Sequence, residues 1–165
     1  MIPSAMLVKV VQVKVTDKLL EEVPELKDFD EKRLVLIRKI QKMNDVPVVY
    51  LDSYWPYKIV MEISKHDLTS RGMYEILQSV LGISLEKADQ IISASTADAE
   101  VSSALNIPVG SPLLVMKRTV FSGETALEVS INYYRADMYS YRVQLDSTAP
   151  MGDEGLVIET NGFEK

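Results

Sequence analysis

Two pairs of long, β-prone segments, each pair joined by a tight polar turn, constrain the fold of this chain more than any other feature of its sequence. The four segments are Arg33–Met43 and Pro47–Tyr54, then Pro112–Phe121 and Thr125–Arg135. Asn44-Asp45 joins the first pair and Ser122-Gly123-Glu124 joins the second. Short runs of Asn, Asp, Gly and Ser between two β-rich segments are typical of hairpin turns. Each pair is therefore predicted to form an antiparallel hairpin.

The longest helical pattern lies between the two hairpins, over Asp67–Gly82. Its apolar residues recur at the spacing of one helix face. They are Met73, Ile76, Leu77, Val80 and Leu81. Ser70 is a candidate N-cap, and Gly82 stands where a left-handed residue commonly ends a helix. We predict an amphipathic helix with one buried stripe.

Shorter elements fill the rest of the sequence. Leu7–Val15, whose imperfect alternation indicates a bulge, and Ile83–Thr96 are predicted strands. The remaining expected elements are a short helix that Thr16 or Asp17 caps and Pro24 stops, a short helix over Ala97–Leu105, and a last strand over Arg142–Leu145. Strands interleaved with a few helices predict an α+β fold with a largely antiparallel sheet. We expect one domain over residues 6–146 and a polar tail over 147–165.

The composition of the chain excludes several classes of function. A length of 165 residues, 47% of them hydrophobic, suits one ordinary globular domain. The net charge is −6 and the Lys and Arg residues are scattered, so the chain has no basic face with which to bind DNA phosphates by itself. The lack of Cys excludes disulfides and thiolate chemistry and favours the cytoplasm. Neither a signal peptide nor an apolar run of the ~18 residues that a membrane span needs is present.

Signatures of catalysis are also missing. His66 is the only histidine, which leaves no histidine cluster for a metal. The sequence has no G-x-S-x-G motif, no P-loop and no dinucleotide-binding glycine pattern. We therefore predict no catalytic residue, no metal site and no cofactor, and we interpret His66 as a surface residue near a helix start.

Polar residues occupy one parity of the last strand of the second hairpin. Glu128, Ser130, Asn132 and Tyr134 share that parity, whereas the intervening residues are Leu, Val, Ile and Tyr. The apolar parity is the core face. The polar parity is either a solvent face or a polar binding face that another element covers, and the sequence alone leaves both open.

The start of the predicted central helix is a second candidate site. The run Ser70-Arg71-Gly72-Met73-Tyr74 would place free amides and a partial positive charge there, which suits an anion. Gly72 would let a ligand approach the backbone closely. Simple N-capping is the alternative interpretation.

Four stretches of the chain, taken together, resemble one known family. They are Pro47 with Ser53-Tyr54 and Pro56; Met73-Tyr74-Glu75; Ala94–Glu100 with Leu105, Pro108, Gly110–Leu114 and Arg118; and Glu128-Val129-Ser130 with Tyr134–Asp137 and Tyr139. In order and spacing they are similar to motifs of the UTRA domain, the C-terminal effector-binding domain of GntR-type transcription regulators of the HutC subfamily. The resemblance covers residues 8–145.

The resemblance implies a chorismate-lyase-like fold, which is a central antiparallel sheet with helices packed on it. It also implies a homodimer that binds a small-molecule effector, such as a sugar, a sugar phosphate or an organic acid. In such regulators an N-terminal winged helix-turn-helix module binds DNA. That module is missing from these residues, because the first strand begins almost at Met6; the chain is either part of a longer regulator or a stand-alone sensor.

The resemblance assigns effector-binding residues one by one. Glu128 and Tyr134 match the acid and the tyrosine that contact the effector, and Tyr74 matches a tyrosine at the helix start. Lys39 and Gln41 stand where members that bind phosphosugars carry an Arg-x-Arg pair, so one charge and the bidentate geometry of arginine are lost.

Two further positions depart from that pattern. Gly72 stands where those members have serine. Leu51 stands where many have glutamate, and the neighbouring Asp52 is a candidate substitute. These departures disfavour a sugar phosphate and leave the sensor role intact.

Two other functions remain open. A chorismate-lyase-like enzyme would need strong cationic clamps for two carboxylates. The candidates are only two, Lys39 and Arg118, which disfavours the enzyme. A dimerisation module that has lost ligand binding is the second alternative. We expect an effector-binding and dimerisation domain that catalyses no reaction.

Overall fold

The structure, a computed structural model, describes residues 2–66, 72–145 and 156–159. Six of its strands are β1 (Pro3–Lys14), β2 (Arg33–Met43), β3 (Val46–Pro56), β4 (Lys87–Thr96), β5 (Pro112–Ser122) and β6 (Thr125–Arg135). They form one sheet in the order β1-β2-β3-β6-β5-β4, and every neighbouring pair is antiparallel. This sheet confirms the predicted fold class.

Both predicted hairpins are present. β2 spans the predicted residues, and β3 runs on to Pro56. Asn44 and Asp45 have φ values of 48° and 64°, and Gly123 has 59°, which is the left-handed geometry that tight hairpin turns require. Local turn chemistry thus sets the register of both pairs.

The first strand is a bulged edge strand. β1 begins at Pro3, four residues earlier than predicted, and its register with β2 shifts between Leu7 and Lys9. The shift confirms the bulge that the imperfect alternation indicates. Met6, Leu7, Val8 and Val10 are all exposed along this edge.

Four α-helices and one 3₁₀ turn lie in the described part of the chain. They are α1 (Asp17–Glu22), the 3₁₀ turn (Pro24–Asp28), α2 (Tyr57–Ile63), α3 (Met73–Ser79) and α4 (Ala99–Leu105). Thr16 caps α1 by accepting from the Leu19 amide at 3.2 Å, as predicted. Asp98 caps α4 by accepting from the Val101 amide at 2.9 Å. None of the described helices is long and apolar enough to cross a membrane.

The central helix differs from its prediction. Asp67–Arg71, with the candidate cap Ser70, lie outside the described residues, and α3 ends at Ser79. Val80 is exposed rather than part of a buried stripe. Gly82 does adopt the left-handed conformation, with φ 63°.

The strand that follows α3 was also predicted too long at its start. The amide of Leu81 donates to the Ile76 carbonyl and that of Ile83 to the Leu77 carbonyl, at 3.1 and 2.9 Å. These bonds turn the chain back onto the helix end, so Ile83 cannot pair in the sheet. β4 therefore begins at Lys87.

Helix α2 was not predicted. It follows β3 without a loop, beginning directly after Pro56. Pro56 is the residue directly before the helix. Its ring fixes its own φ, and it lacks the amide hydrogen that a further strand bond would need. Seven residues are too few for a helical period to stand out.

The two faces of the sheet carry separate cores. On one side, named the α4 face, residues of β2, β3 and β6 pack against α1, the 3₁₀ turn and α4. Buried members of this core include Leu34, Leu36, Tyr54, Val129, Leu26 and Leu105. On the other side, named the α3 face, Val35, Ile37 and Trp55 pack against α2 and α3. Because paired residues in an antiparallel sheet share a face, the register assigns Lys39, Ser53 and Glu128 to the α3 face.

The C-terminal stretch contains a strand that the sequence did not predict. The predicted last strand is present as β7 (Arg142–Leu145), and β8 (Leu156–Glu159) pairs with it antiparallel. The four residues of β8 lie inside the stretch 147–165 that we expected to be a tail. Three apolar residues followed by Glu159 are too short a run to stand out against their polar surroundings.

Candidate functional site: a covered polar cavity on the sheet

Glu128 lies in the protein interior. Its side chain and backbone together are only 7% exposed, and its neighbour on the same face, Ser130, is 6% exposed. The interpretation of this strand face as a solvent face is therefore wrong. Helix α3 covers the position, in the manner that the alternative interpretation requires.

A cavity of about 190 Å³ lies between the sheet and α3, and we name it the Glu128 cavity. Its polar lining consists of Lys39 from β2, Ser53 from β3, Glu128 from β6 and Tyr74 from α3. Ile37, Leu51, Trp55 and Met73 form its apolar walls. Three of the six predicted site residues, Lys39, Tyr74 and Glu128, thus come together.

Glu128 is held by a short chain of hydrogen bonds. The Ser53 hydroxyl donates to Glu128 Oε1 at 2.7 Å, and Trp55 Nε1 donates to the Ser53 oxygen. Burial raises the pKa of Glu128 to about 7, although the Ser53 hydrogen bond and the charge of Lys39 act in the opposite direction. A buried carboxylate with few donors binds a further hydrogen-bond donor strongly, because that donor offsets part of the free energy lost when the charge left water.

Ser53 and Trp55 are site residues that the sequence reasoning missed. Ser53 is 4% exposed and is the only member of the hydrogen-bond chain that contacts both of the others. The Trp55 ring also packs against the Tyr74 ring, with centroids 5.6 Å apart. A polar residue at a buried parity of β3, two positions before a tryptophan, was the available signal.

Gln41 and Tyr134 lie elsewhere, in a wider cavity of about 570 Å³ that we name the Tyr134 cavity. The Tyr134 ring stacks on Tyr139 with centroids 3.8 Å apart. Asn132 Nδ2 donates to the Tyr134 hydroxyl at 3.0 Å. The predicted site is therefore divided between two cavities.

Gly72 and Asp52 do not take the places expected of them. Gly72 precedes α3 at the N-cap with φ −74°, and it belongs to the lining of neither cavity. Because α3 has only seven residues, its amides are a weak anion site. Asp52 points to the α4 face, where Arg38 binds it with two bonds of 2.7 and 2.8 Å, so it cannot substitute for a glutamate at Leu51.

The remaining candidates for chemistry are dispersed. Among the described residues no three His, Cys, Asp or Glu side chains are grouped as metal ligands would be. Arg118 is exposed, donates to Gln90 at 2.9 Å and lies outside the lining of the Glu128 cavity. Lys39 is therefore the one cationic side chain in the described lining of that cavity.

The fold and the cavity define a class of protein: an α+β domain with a small polar cavity between an antiparallel sheet and a covering helix. The family follows from the sequence. The model of the UTRA domain matches residues 4–140, so the chain belongs to the UTRA domain family.

Known proteins similar to this chain are transcription regulators. The chain is 28% identical over 111 residues to the HTH-type transcriptional repressor NagR of Bacillus subtilis, which covers 67% of this chain and 45% of NagR. The chain spans about half the length of the curated relatives it matches.

Solved structures show the same fold. The ligand-binding domain of a GntR-family regulator from Bordetella bronchiseptica has a TM-score of 0.71 at 23% identity, covering 87% of this chain and 92% of that one. The C-terminal domain of the histidine utilization repressor from Pseudomonas syringae has a TM-score of 0.72 at 18% identity, covering 88% and 99%. The chorismate-lyase-like α+β fold is thereby confirmed.

Proposed function

We propose that this chain is the effector-binding domain of a bacterial GntR/HutC-type transcription regulator and that its effector binds in the Glu128 cavity. The observation that carries the proposal is the buried Glu128, which α3 covers and which accepts a hydrogen bond only from Ser53 among the described residues. A carboxylate in that setting costs folding free energy. A ligand that donates hydrogen bonds to it would recover part of that cost.

The lining of the cavity indicates the class of effector. Glu128 accepts hydrogen bonds and suits hydroxyl or amine donors, while Lys39 suits a single acidic group. Sugars with an acidic group and hydroxylated organic acids meet both requirements. A sugar phosphate is less well matched, because one lysine replaces the bidentate cations that hold a phosphate best.

The wider role of the protein is part of the same proposal. We infer a homodimer, because the exposed β1 edge leaves unpaired backbone groups that a second copy would cover. DNA would be contacted by a helix-turn-helix segment outside these 165 residues, and the protein would act in the cytoplasm. We infer no catalytic activity, since the relatives are transcription regulators and Lys39 is the one cation in the described lining of the Glu128 cavity, where a chorismate lyase would need clamps for two carboxylates.

A thermal-shift screen of sugars, sugar acids and organic acids tests the proposal. A saturating effector at ~100 times its dissociation constant should stabilise the domain by about 2.7 kcal/mol, which is several degrees in melting temperature. Glu128→Gln keeps the shape of the side chain and removes its charge. It should weaken binding by about ten- to a hundredfold, because a charged hydrogen bond contributes roughly 1.5–3 kcal/mol.

Glu124→Gln is the matched control, because Glu124 lies exposed in the turn before the same strand. It should leave the affinity unchanged. Equal affinity in wild type and Glu128→Gln, with the fold intact, would show that the cavity is not the effector site. Release of pyruvate from chorismate would instead favour the enzyme.

A further inference from the structure

The Glu128 cavity is too small to hold a typical ligand by itself. Its volume of about 190 Å³ lies below the ~300–1,000 Å³ of most small-molecule sites. It can therefore enclose only part of a larger molecule.

The Tyr134 cavity follows the Glu128 cavity along the same strands and the same face. Lys39 lines the first and Gln41 the second on β2; on β3, Leu51 lines the first and Val49 the second. Two residues along a strand correspond to roughly 6.6 Å. One small molecule is long enough to occupy both cavities.

The two cavities differ in chemistry. The second has a volume of about 570 Å³, and much of its wall consists of Met43, Val48, Val49 and the stacked rings of Tyr134 and Tyr139. Its polar side chains are Ser4, Gln41, Lys42 and the tyrosine hydroxyls. A flat aromatic wall of this kind favours an apolar or aromatic group.

Along β6, Asn132 lies between Glu128, which lines the first cavity, and Tyr134, which lines the second. It pairs with Leu51 across β3, and its Nδ2 donates to the Tyr134 hydroxyl. Its Oδ1 is buried and has no hydrogen-bond partner among the described residues. A buried acceptor without a partner costs free energy that a donor on a ligand would recover.

We propose that the effector is bipartite, with a polar head in the Glu128 cavity, an apolar or aromatic tail in the Tyr134 cavity, and a hydrogen-bond donor near Asn132 where the two parts join. This inference rests on the proposed function, because it assigns the ligand class of the same site. It predicts that, among ligands with the same polar group in the Glu128 cavity, those that also carry an apolar group bind more tightly.

Methyl β-D-glucuronide and phenyl β-D-glucuronide test the proposal, because they share a hydroxylated, carboxylated head and differ only in the tail. In calorimetric titrations the phenyl compound should bind at least about tenfold more tightly, since the ring buries apolar surface that a methyl group lacks. Met43→Glu places a charge in the wall of the Tyr134 cavity and should abolish that advantage, so that the ratio of the two affinities falls to about one.

Met61→Glu is the matched control, because Met61 is exposed on α2. It should preserve the preference for the phenyl compound. Equal affinity for the two glucuronides, or binding of neither, would contradict the bipartite proposal. An effector from the metabolite screen that requires Glu128 would still support the proposed function in either case.

Discussion

The two faces of the sheet each carry an acidic side chain, and they compensate it differently. On the α4 face, Asp52 receives two hydrogen bonds from Arg38, at 2.7 and 2.8 Å, and Arg38 also binds Glu100 on α4 at 2.5 Å. The Asp52 bond is the main cause that raises the pKa of Arg38. On the α3 face, Glu128 receives one bond from the described residues, that of Ser53, and Lys39 acts on it through its charge.

The difference separates a structural acid from one available to a ligand. Both oxygens of Asp52 are occupied by the planar guanidinium of Arg38, so Asp52 has little to offer a ligand. Because Arg38 also binds Glu100, this ion network holds β2, β3 and α4 together. Glu128 is also buried, but fewer hydrogen bonds compensate its charge than compensate the charge of Asp52. A ligand is therefore expected to bind at Glu128, whose ionised form lowers the stability of the fold, rather than at Asp52, whose ion pair stabilises it.

Breaking the ion pair on the α4 face should have the largest effect on stability. Arg38→Met would leave Asp52 without its partner at a position where both side chains are mostly buried, 16% and 13% exposed. We expect a loss of about 3–5 kcal/mol in the free energy of unfolding. Chemical denaturation measures it. Lys65→Met, which breaks the exposed Lys65–Glu62 pair, should cost less than ~1 kcal/mol.

Neutralising Glu128, the acid on the α3 face, should raise the stability of the free domain instead of lowering it. Glu128 has a pKa of about 7 in the folded protein against an ordinary 4.5, so its ionisation lowers stability as pH rises from 4.5 through 7. Glu128→Gln should therefore stabilise the free domain by about 3 kcal/mol at pH 8. Near pH 4, where Glu128 is protonated in both states, the variant and the wild type should be equally stable. A destabilised variant at pH 8 would mean that Glu128 is structural, like Asp52.

A local cap on the α4 face should give a smaller effect that does not depend on the site. Asp98→Ala removes the bond to the Val101 amide and should cost about 1 kcal/mol of unfolding free energy. Effector affinity should not change, since α4 lies on the opposite side of the sheet. Weaker effector binding in this variant would show that the two faces are coupled.

The parts of this fold that sequence predicted best are those that local chemistry determines. The turns at Asn44-Asp45 and Gly123 and the cap at Thr16 depend on residues a few positions apart. The extent of β4 was predicted less well, because it depends on how the chain folds back after Gly82 onto α3.

The candidate site was predicted only in part, for a related reason. Alternation along β6 identified the polar face of Glu128, but whether α3 covers that face depends on contacts between distant segments. The division of Tyr74 and Tyr134 between two cavities also depends on the pairing of β2, β3 and β6. Ser53 carried a local signal as a polar residue on a buried parity of β3, but its bond to Glu128 spans 75 residues of sequence and could not be predicted from it.

The protonation of Glu128 is the most direct test of the contrast between the two faces. A carbon-detected NMR titration of its side-chain carboxyl group in the free protein reports the midpoint without any mutation. We expect a midpoint near 7, because the carboxyl group is buried and receives one hydrogen bond from the described residues. A midpoint near 4.5 would show a well-solvated or fully compensated carboxylate, and Glu128 would then not differ from Asp52 in the way proposed.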